Sequence, residues 1–247
     1  MARTSRTLAL AFTAAALSWS GTSAVPPHAN AVPLGDKAHR PDVVQVRIYD
    51  KPDGSAHKCT GTAISDEWVL TAAHCVEGES FNDPDAPASA ITLHYSNNKA
   101  NPGPETRIDR YEKTKDADLA LLHTATPHAL ESYPTITDGT VIKEGQRVHL
   151  YGYGNGFQDA DVTWLRTAEL EVTGMSKDLN AGQLINMKGI TGASNHGDSG
   201  GPIFDGKGTL IAVNVVGSHG VWADPYAESS AVNLQHYREW ITTTTGI

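Results

Sequence analysis

The stretch TGASNHGDSGGPIF, residues 191–204, holds Ser199 between Gly197 and Gly201, and its reading decides the fold. Taken as GxSxG, the serine belongs on a sharp turn from a strand into a helix, inside a parallel sheet with alternating helices. Taken as GDSGGP, it belongs on a glycine-rich loop and needs a histidine and an aspartate supplied from elsewhere. The residues after Ser199 separate the two. Gly200, Gly201 and Pro202 lead into IFDGKGTLIAV, which reads as strand, turn, strand. The GxSxG reading also needs an acid and a histidine after the serine. Asp205 or Asp224 with His219 or His236 would meet that requirement in count, but no helix comes after the serine and no alternating helices surround it.

Outward from this point the chain reads as β-structure. From Val43 onward VVQVRIY, TGTAI, WVLTAAHC, AITLHYS, LALLHT, QRVHLYGYG, LRTAELEVTG, QLINM, GPIFD and TLIAVNVVG are short β-prone runs between turn residues. The 23 Gly and 13 Pro in 247 residues supply those turns. One segment, VNLQHYREWI at 232–241, has helical spacing, with Val232, Leu234, Tyr237, Trp240 and Ile241 as its apolar stripe; the TTTTG tail after it is expected to fray. Residues 77–90, EGESFNDPDAPASA, read as a solvated acidic loop without the ligand spacing of a calcium site. Residues 124–145 read as the connection between two halves.

The first residues carry Arg3 and Arg6, then an apolar run from Leu8 to Trp19, then small residues, which is the pattern of an export signal. Cleavage is expected after Ala24 or Ala31, so residues 1–31 form a signal peptide, or 1–24 a signal with a short propeptide. The run is too short to span a bilayer. Its removal deletes two Arg and no acid, taking the formal charge from −9 to −11. Such a surface disfavours nucleic acid and anionic membranes as partners. Cys59 and Cys75 are the only cysteines, and in an exported chain one disulfide is their simplest use, worth about 3 kcal/mol on a chain-entropy account. Two thiolates without a CxxC or a nearby His pair do not make a metal site, and neither a metal nor another cofactor is expected.

WVLTAAHC at 68–75 ends in His74 and Cys75, and DADLALL at 116–122 places Asp118 before an apolar strand. With GDSGGP these segments resemble the chymotrypsin/trypsin-like serine protease family, in that family's order of His, Asp and Ser, as a secreted, bacterial-type member. CTGT at 59–62, YGYG at 151–154 and the C-terminal helix extend the resemblance over most of the chain after the signal. It implies an all-β fold of two packed antiparallel six-stranded β-barrels with a C-terminal α-helix: residues 32–130 and 131–247, with the cleft between them. It also implies that Cys59 pairs with Cys75.

A serine hydroxyl is a weak nucleophile at neutral pH and needs a base to take its proton. On this resemblance His74 is that base, Asp118 fixes its tautomer, and Ser199 attacks the carbonyl. The N–H groups of Gly197 and Ser199 form the oxyanion hole. The implied activity is a secreted serine endopeptidase acting on protein or peptide through an acyl-enzyme, as a monomer. The alternatives are a catalytically silent homologue that binds a partner, or a serine esterase.

The chain also departs from the family pattern. The pocket-base position, six residues before the serine, is Ala193 rather than the Asp of trypsin-like members, which argues against cleavage after Arg or Lys; Ala193, His196, Val215 and Gly217 are the expected pocket residues. His196 and His219 leave acidic side chains open as an alternative. Asn195 stands where the family has a pocket cysteine, so looser walls are expected. Val32 would be the new amino terminus that pairs with Asp198, although VPLG replaces the family's IVGG. Val215 or Ser218 occupies the position of the serine that bonds the catalytic Asp, and the strand pattern favours Val215.

Overall fold

The computed structural model describes residues 35–49, 51, 53–78, 85–156, 159–179, 181–217 and 224–247. The signal segment, Val32, Ser218 and His219 lie outside the described residues. Thirteen strands are described: β1 (Asp36–Lys37), β2 (Val43–Ile48), β3 (His57–Ala63), β4 (Trp68–Thr71), β5 (Ile91–His94), β6 (Thr106–Lys113), β7 (Ala120–Thr124), β8 (Arg147–Gly152), β9 (Arg166–Lys177), β10 (Gln183–Gly189), β11 (Pro202–Asp205), β12 (Leu210–Gly217) and β13 (Glu228–Asn233). One α-helix, α1 (Arg238–Thr245), closes the chain.

All pairings between these strands are antiparallel, and they form two closed barrels. The first runs β2-β3-β4-β7-β6-β5 and back to β2. The second runs β9-β10-β13-β12-β11-β8 and closes by the β8–β9 pairing, which brings Arg147 opposite Glu171 and Gly152 opposite Arg166. Strand β1 is added outside β9. Closure removes the exposed sheet edges that antiparallel sheets would otherwise present. The expected two six-stranded barrels with a C-terminal helix are what the structure has.

Side-chain alternation explains why these segments pair as they do. On β9, Arg166, Ala168, Leu170 and Val172 are buried, while the residues between them are more exposed. That period of two turns one face into the barrel. The inner faces of the second barrel meet in a core of Val148, Leu150, Ile185, Met187, Ile203 and Ile211. A second cluster runs from Val46, Leu70 and Leu121 of the first barrel to Phe204, Val213 and Leu234 of the second half, so apolar packing is continuous across the junction.

Three strands escaped the sequence pattern. Strand β6, TRIDRYEK, buries only Ile108 and carries charge at five of its eight positions, so its membership is set by pairing with β5 and β7 rather than by hydrophobicity. β1 is two residues long. β13 lies where the helical spacing begins.

The C-terminal element differs from expectation at both ends. Val232 belongs to β13, Leu234–His236 form a single 3₁₀ turn, and α1 begins only at Arg238. The stripe is nonetheless buried: Val232, Leu234 and Ile241 are fully covered and Tyr237 nearly so. The tail expected to fray forms the last turn of α1. There the Thr245 hydroxyl donates to the Ile241 carbonyl, and Gly246, at φ 79°, takes the left-handed cap and donates to Thr242.

Candidate active site

The three motif residues come from three different elements. His74 lies on the 3₁₀ turn Ala73–Val76 directly after β4, Asp118 in the turn before β7, and Ser199 in the loop from β10 to β11. All three line one cleft of about 810 Å³ between the barrels. Neither barrel supplies the set alone.

Asp118 grips His74 twice. One carboxylate oxygen accepts the backbone N–H of His74 at 2.8 Å, and the other lies 2.6 Å from Nδ1. The His74 side chain is 29% exposed, so Nε2 faces a cleft that solvent and substrate can reach. Burial pulls the imidazole pKa down, but the hydrogen bond and charge of Asp118, with Glu77 further out, outweigh it and hold the pKa above its ordinary value. Among the described residues, Asp118 has no hydrogen-bond donor other than His74.

Tight backbone geometry shapes the serine loop. Gly197 has φ 94° and Gly200 φ 81°, both in the left-handed region that a side chain disfavours. A Cβ on Gly200 would stand 2.1 Å from the Thr60 carbonyl oxygen and from the Thr71 hydroxyl, so this loop is pressed against the first barrel. Thr60 fastens it there: its N–H donates to the Ser199 carbonyl at 2.8 Å and its hydroxyl donates to the Gly197 carbonyl at 2.8 Å. Asn214 clamps the other side, accepting from Gly200 N–H and donating to the Gly201 carbonyl. Among the described residues no acceptor takes the N–H of Gly197 or of Ser199. Such unspent donors can bind a developing oxyanion.

Asp198 points away from the cleft and is completely buried. Its carboxylate accepts the N–H of Gly154 at 2.7 Å and of Asn195 at 2.9 Å. Side chains at Gly152 and Gly154 would collide with it, since a Cβ on either would come within 2.4 Å of its oxygens. Burial pushes its pKa up to about 7, against the two backbone hydrogen bonds and the distant charge of Lys99. The Lys99 ammonium is itself held by Asp161 at 3.1 Å.

Cys59 and Cys75 are bonded, with Cα atoms 6.1 Å apart. The bridge ties β3 to the turn that carries His74, and Cys75 Sγ lies 3.7 Å from the Ser199 carbonyl oxygen. Ligand-type atoms of Cys59, His74 and Cys75 lie within 4.8 Å of one another, but both sulfurs are spent on the disulfide, which leaves no thiolate for a metal.

Of the expected pocket residues, His196, Val215 and Gly217 line the cleft, whereas Ala193 is fully buried behind it. Gly217 lies against Ser194: a Cβ there would stand 2.5 Å from the Ser194 hydroxyl and 2.9 Å from its carbonyl oxygen. Ser194 in turn bonds Ser229 on β13, hydroxyl to hydroxyl at 3.1 Å. The walls are therefore close and polar at their inner end. Where the cysteine is missing, the Asn195 amide donates to the carbonyls of Asn155 and Gly156, each at 3.1 Å. Asn214 and Val216 also line the cleft and were missed in the sequence, as were Lys51, His57 and Lys58. β12 is buried from Leu210 to Val215 without alternation, so nothing local marked Asn214, and the three basic residues reach the cleft only through barrel closure.

A model of the family described as Trypsin matches residues 34–241. The chain belongs to the trypsin family. Its similarity to curated family members is moderate: 29% identity over 187 residues to transmembrane protease serine 7 of Rattus norvegicus, covering 65% of this chain and 22% of that protein. Serine protease SP24D of Anopheles gambiae is 26% identical over 204 residues, covering 77% and 73%. Transmembrane protease serine 11C of Mus musculus is 25% identical over 222 residues, covering 78% and 49%. This trypsin-family chain thus spans about a fifth to three quarters of the relatives it matches. Two solved structures share the fold. The scabies mite inactivated protease paralogue S-I1 superposes at a TM-score of 0.69 with 23% identity over 86% of this chain and 98% of that one, and paralogue S-D1 at 0.70 with 19% over 87% and 97%. These relatives come from mite, insect and mammal, so they lend no support to the expected bacterial-type character.

Proposed function

We propose that the protein is a secreted serine endopeptidase in which His74, Asp118 and Ser199 form the catalytic triad. The observation that carries this reading is the double grip of Asp118 on His74, at 2.8 and 2.6 Å, in the cleft that Ser199 lines. A carboxylate in that position keeps the proton on Nδ1 and leaves Nε2 free to accept the serine proton. Ser199 then attacks the peptide carbonyl. The N–H groups of Gly197 and Ser199 receive the oxyanion, and His74 returns its proton to the leaving amine. Water hydrolyses the acyl-enzyme by the same steps.

The acyl-side pocket, lined by His196, Val215 and Gly217 with Ala193 buried behind them, carries no acid among the described residues. Its walls meet through Gly217 and Ser194, which favours a small, uncharged side chain before the scissile bond over Arg or Lys. Export with cleavage after Ala31 would free the ammonium of Val32. Asp198, buried and bonded only to backbone N–H groups among the described residues, is the carboxylate it would pair with. No helix among the described residues is long and apolar enough to cross a membrane.

The test combines casein digestion by the purified, processed protein with sequencing of the product ends and of the enzyme's own amino terminus. Products ending in small residues and loss of digestion in Ser199→Ala are expected. Cleavage after Arg or Lys would contradict the pocket assignment, and an active enzyme with another amino terminus would contradict the Val32 pairing. The close approach of Gly217 to Ser194 also favours a second reading, a silent homologue that only binds its partner; absence of any turnover would favour it.

A further inference from the structure

The chain is strongly acidic, with a formal charge of −9, yet its cleft is not. Among the described residues, no acid lines it apart from Asp118, committed to His74; the other ionisable residues described on its walls are Lys51, His57, Lys58 and His196. Lys51, His57 and Lys58 stand together on one side. Lys58 directly precedes Cys59 on β3, and its carbonyl oxygen lies 3.6 Å from where a Cβ of Gly197 would be, so it adjoins the oxyanion loop. Val215, Val216 and Gly217 also line the cleft, and on the proposed pocket assignment the acyl half of a substrate lies against them.

These two walls set a direction for the bound chain. If the acyl half lies against β12, the leaving half must pass Cys59 and run beneath Lys58 and Lys51. We infer that this basic wall selects peptides carrying Asp or Glu in the first positions after the scissile bond; the inference rests on the endopeptidase reading for the direction of the chain. The Lys58 side chain is exposed and that of Lys51 half-buried, which places both within reach of a bound chain. Each lysine has one described acid in its field: Asp161 for Lys58, already held by Lys99 at 3.1 Å, and exposed Asp53 for Lys51. Two neighbouring ammonium groups attract a passing carboxylate more strongly than one does, and salt weakens that attraction because the screening length is about 8 Å at physiological ionic strength. The preference is therefore expected to be about tenfold, on the scale of 1.4 kcal/mol for a factor of ten, and salt-sensitive.

The test uses two quenched fluorescent peptides with the same alanine-rich acyl half, one with Asp and Glu and the other with Lys in the three positions after the scissile bond. The native protein is expected to cleave the acidic peptide with about tenfold higher kcat/KM at low salt, and less so at high salt. Lys58→Glu, and Lys51→Glu with Lys58→Glu, are expected to abolish or reverse the ratio. Lys207→Glu, on the β11–β12 turn away from the cleft, keeps it while making the same change in net charge. In parallel, fluorescence anisotropy measures binding of both peptides to Ser199→Ala. Equal cleavage, or a ratio that Lys207→Glu changes as much as Lys58→Glu does, overturns the inference and leaves the endopeptidase reading standing. Tighter binding of the acidic peptide without any cleavage supports the basic wall and contradicts the endopeptidase reading. No preference in either measurement overturns the inference.

Discussion

At the scale of single residues, His74 is where chemistry and electrostatics meet. Its pKa is held above the ordinary imidazole value of about 6.5 because Asp118 stabilises the imidazolium. On the proposed mechanism His74 is the base and works only when neutral, so kcat/KM is expected to rise with pH along an acid limb centred above that value. The same shift acts oppositely on stability. Protonated His74 is favoured in the folded state, so its contribution is complete below the unfolded pKa and is lost as pH rises through the folded one. Asp118→Asn removes the charge and the correct tautomer together. It is expected to lower kcat by about 10⁴-fold while leaving the thermal unfolding profile nearly unchanged; a pH–rate profile and a melting curve of the two proteins check this, and a loss of less than tenfold would remove Asp118 from the mechanism. These residues were legible because each sits in its own short contiguous motif. Lys58 and Asn214 were not, since nothing local marks a residue that only barrel closure brings beside Ser199.

At the scale of elements, the disulfide and the strand pairings decide how firmly His74 is aimed. The bridge closes a 16-residue separation between β3 and the turn after β4. Its removal in Cys59→Ser with Cys75→Ser is expected to cost about 3 kcal/mol of unfolding free energy. It should also lower kcat more than it raises KM, because the turn carrying His74 loses its tether. Urea unfolding followed beside steady-state kinetics separates the two effects, and an unchanged kcat would show that β4 and Asp118 alone position the base. The limits of the sequence are also clearest here. β9 announces itself through alternating burial, whereas β6 carries charge at five of its eight positions and is a strand only because β5 and β7 flank it. The C-terminal stripe was legible as buried surface, but it divides between β13, a 3₁₀ turn and α1, because strand pairing to β10 and β12 outweighs the helical spacing at Val232.

At the scale of the whole molecule, two closed barrels make a cleft that neither contains. His74 and Asp118 come from the first and Ser199 from the second, and the Thr60 hydroxyl bonded to Gly197 is one of the contacts that keeps them in register. The all-β architecture was legible in the spacing of β-prone runs and in the absence of a helix after Ser199; the wall-to-wall dimensions of the pocket were not, because they depend on how closely Gly217 approaches Ser194. The central claim is that this assembly activates Ser199 as a nucleophile. It is tested most directly by reacting the processed protein with a fluorophosphonate and locating the adduct by mass spectrometry. One adduct is expected, on Ser199, lost in Ser199→Ala and strongly slowed in Asp118→Asn. An unlabelled Ser199 in folded, correctly processed protein would contradict the claim.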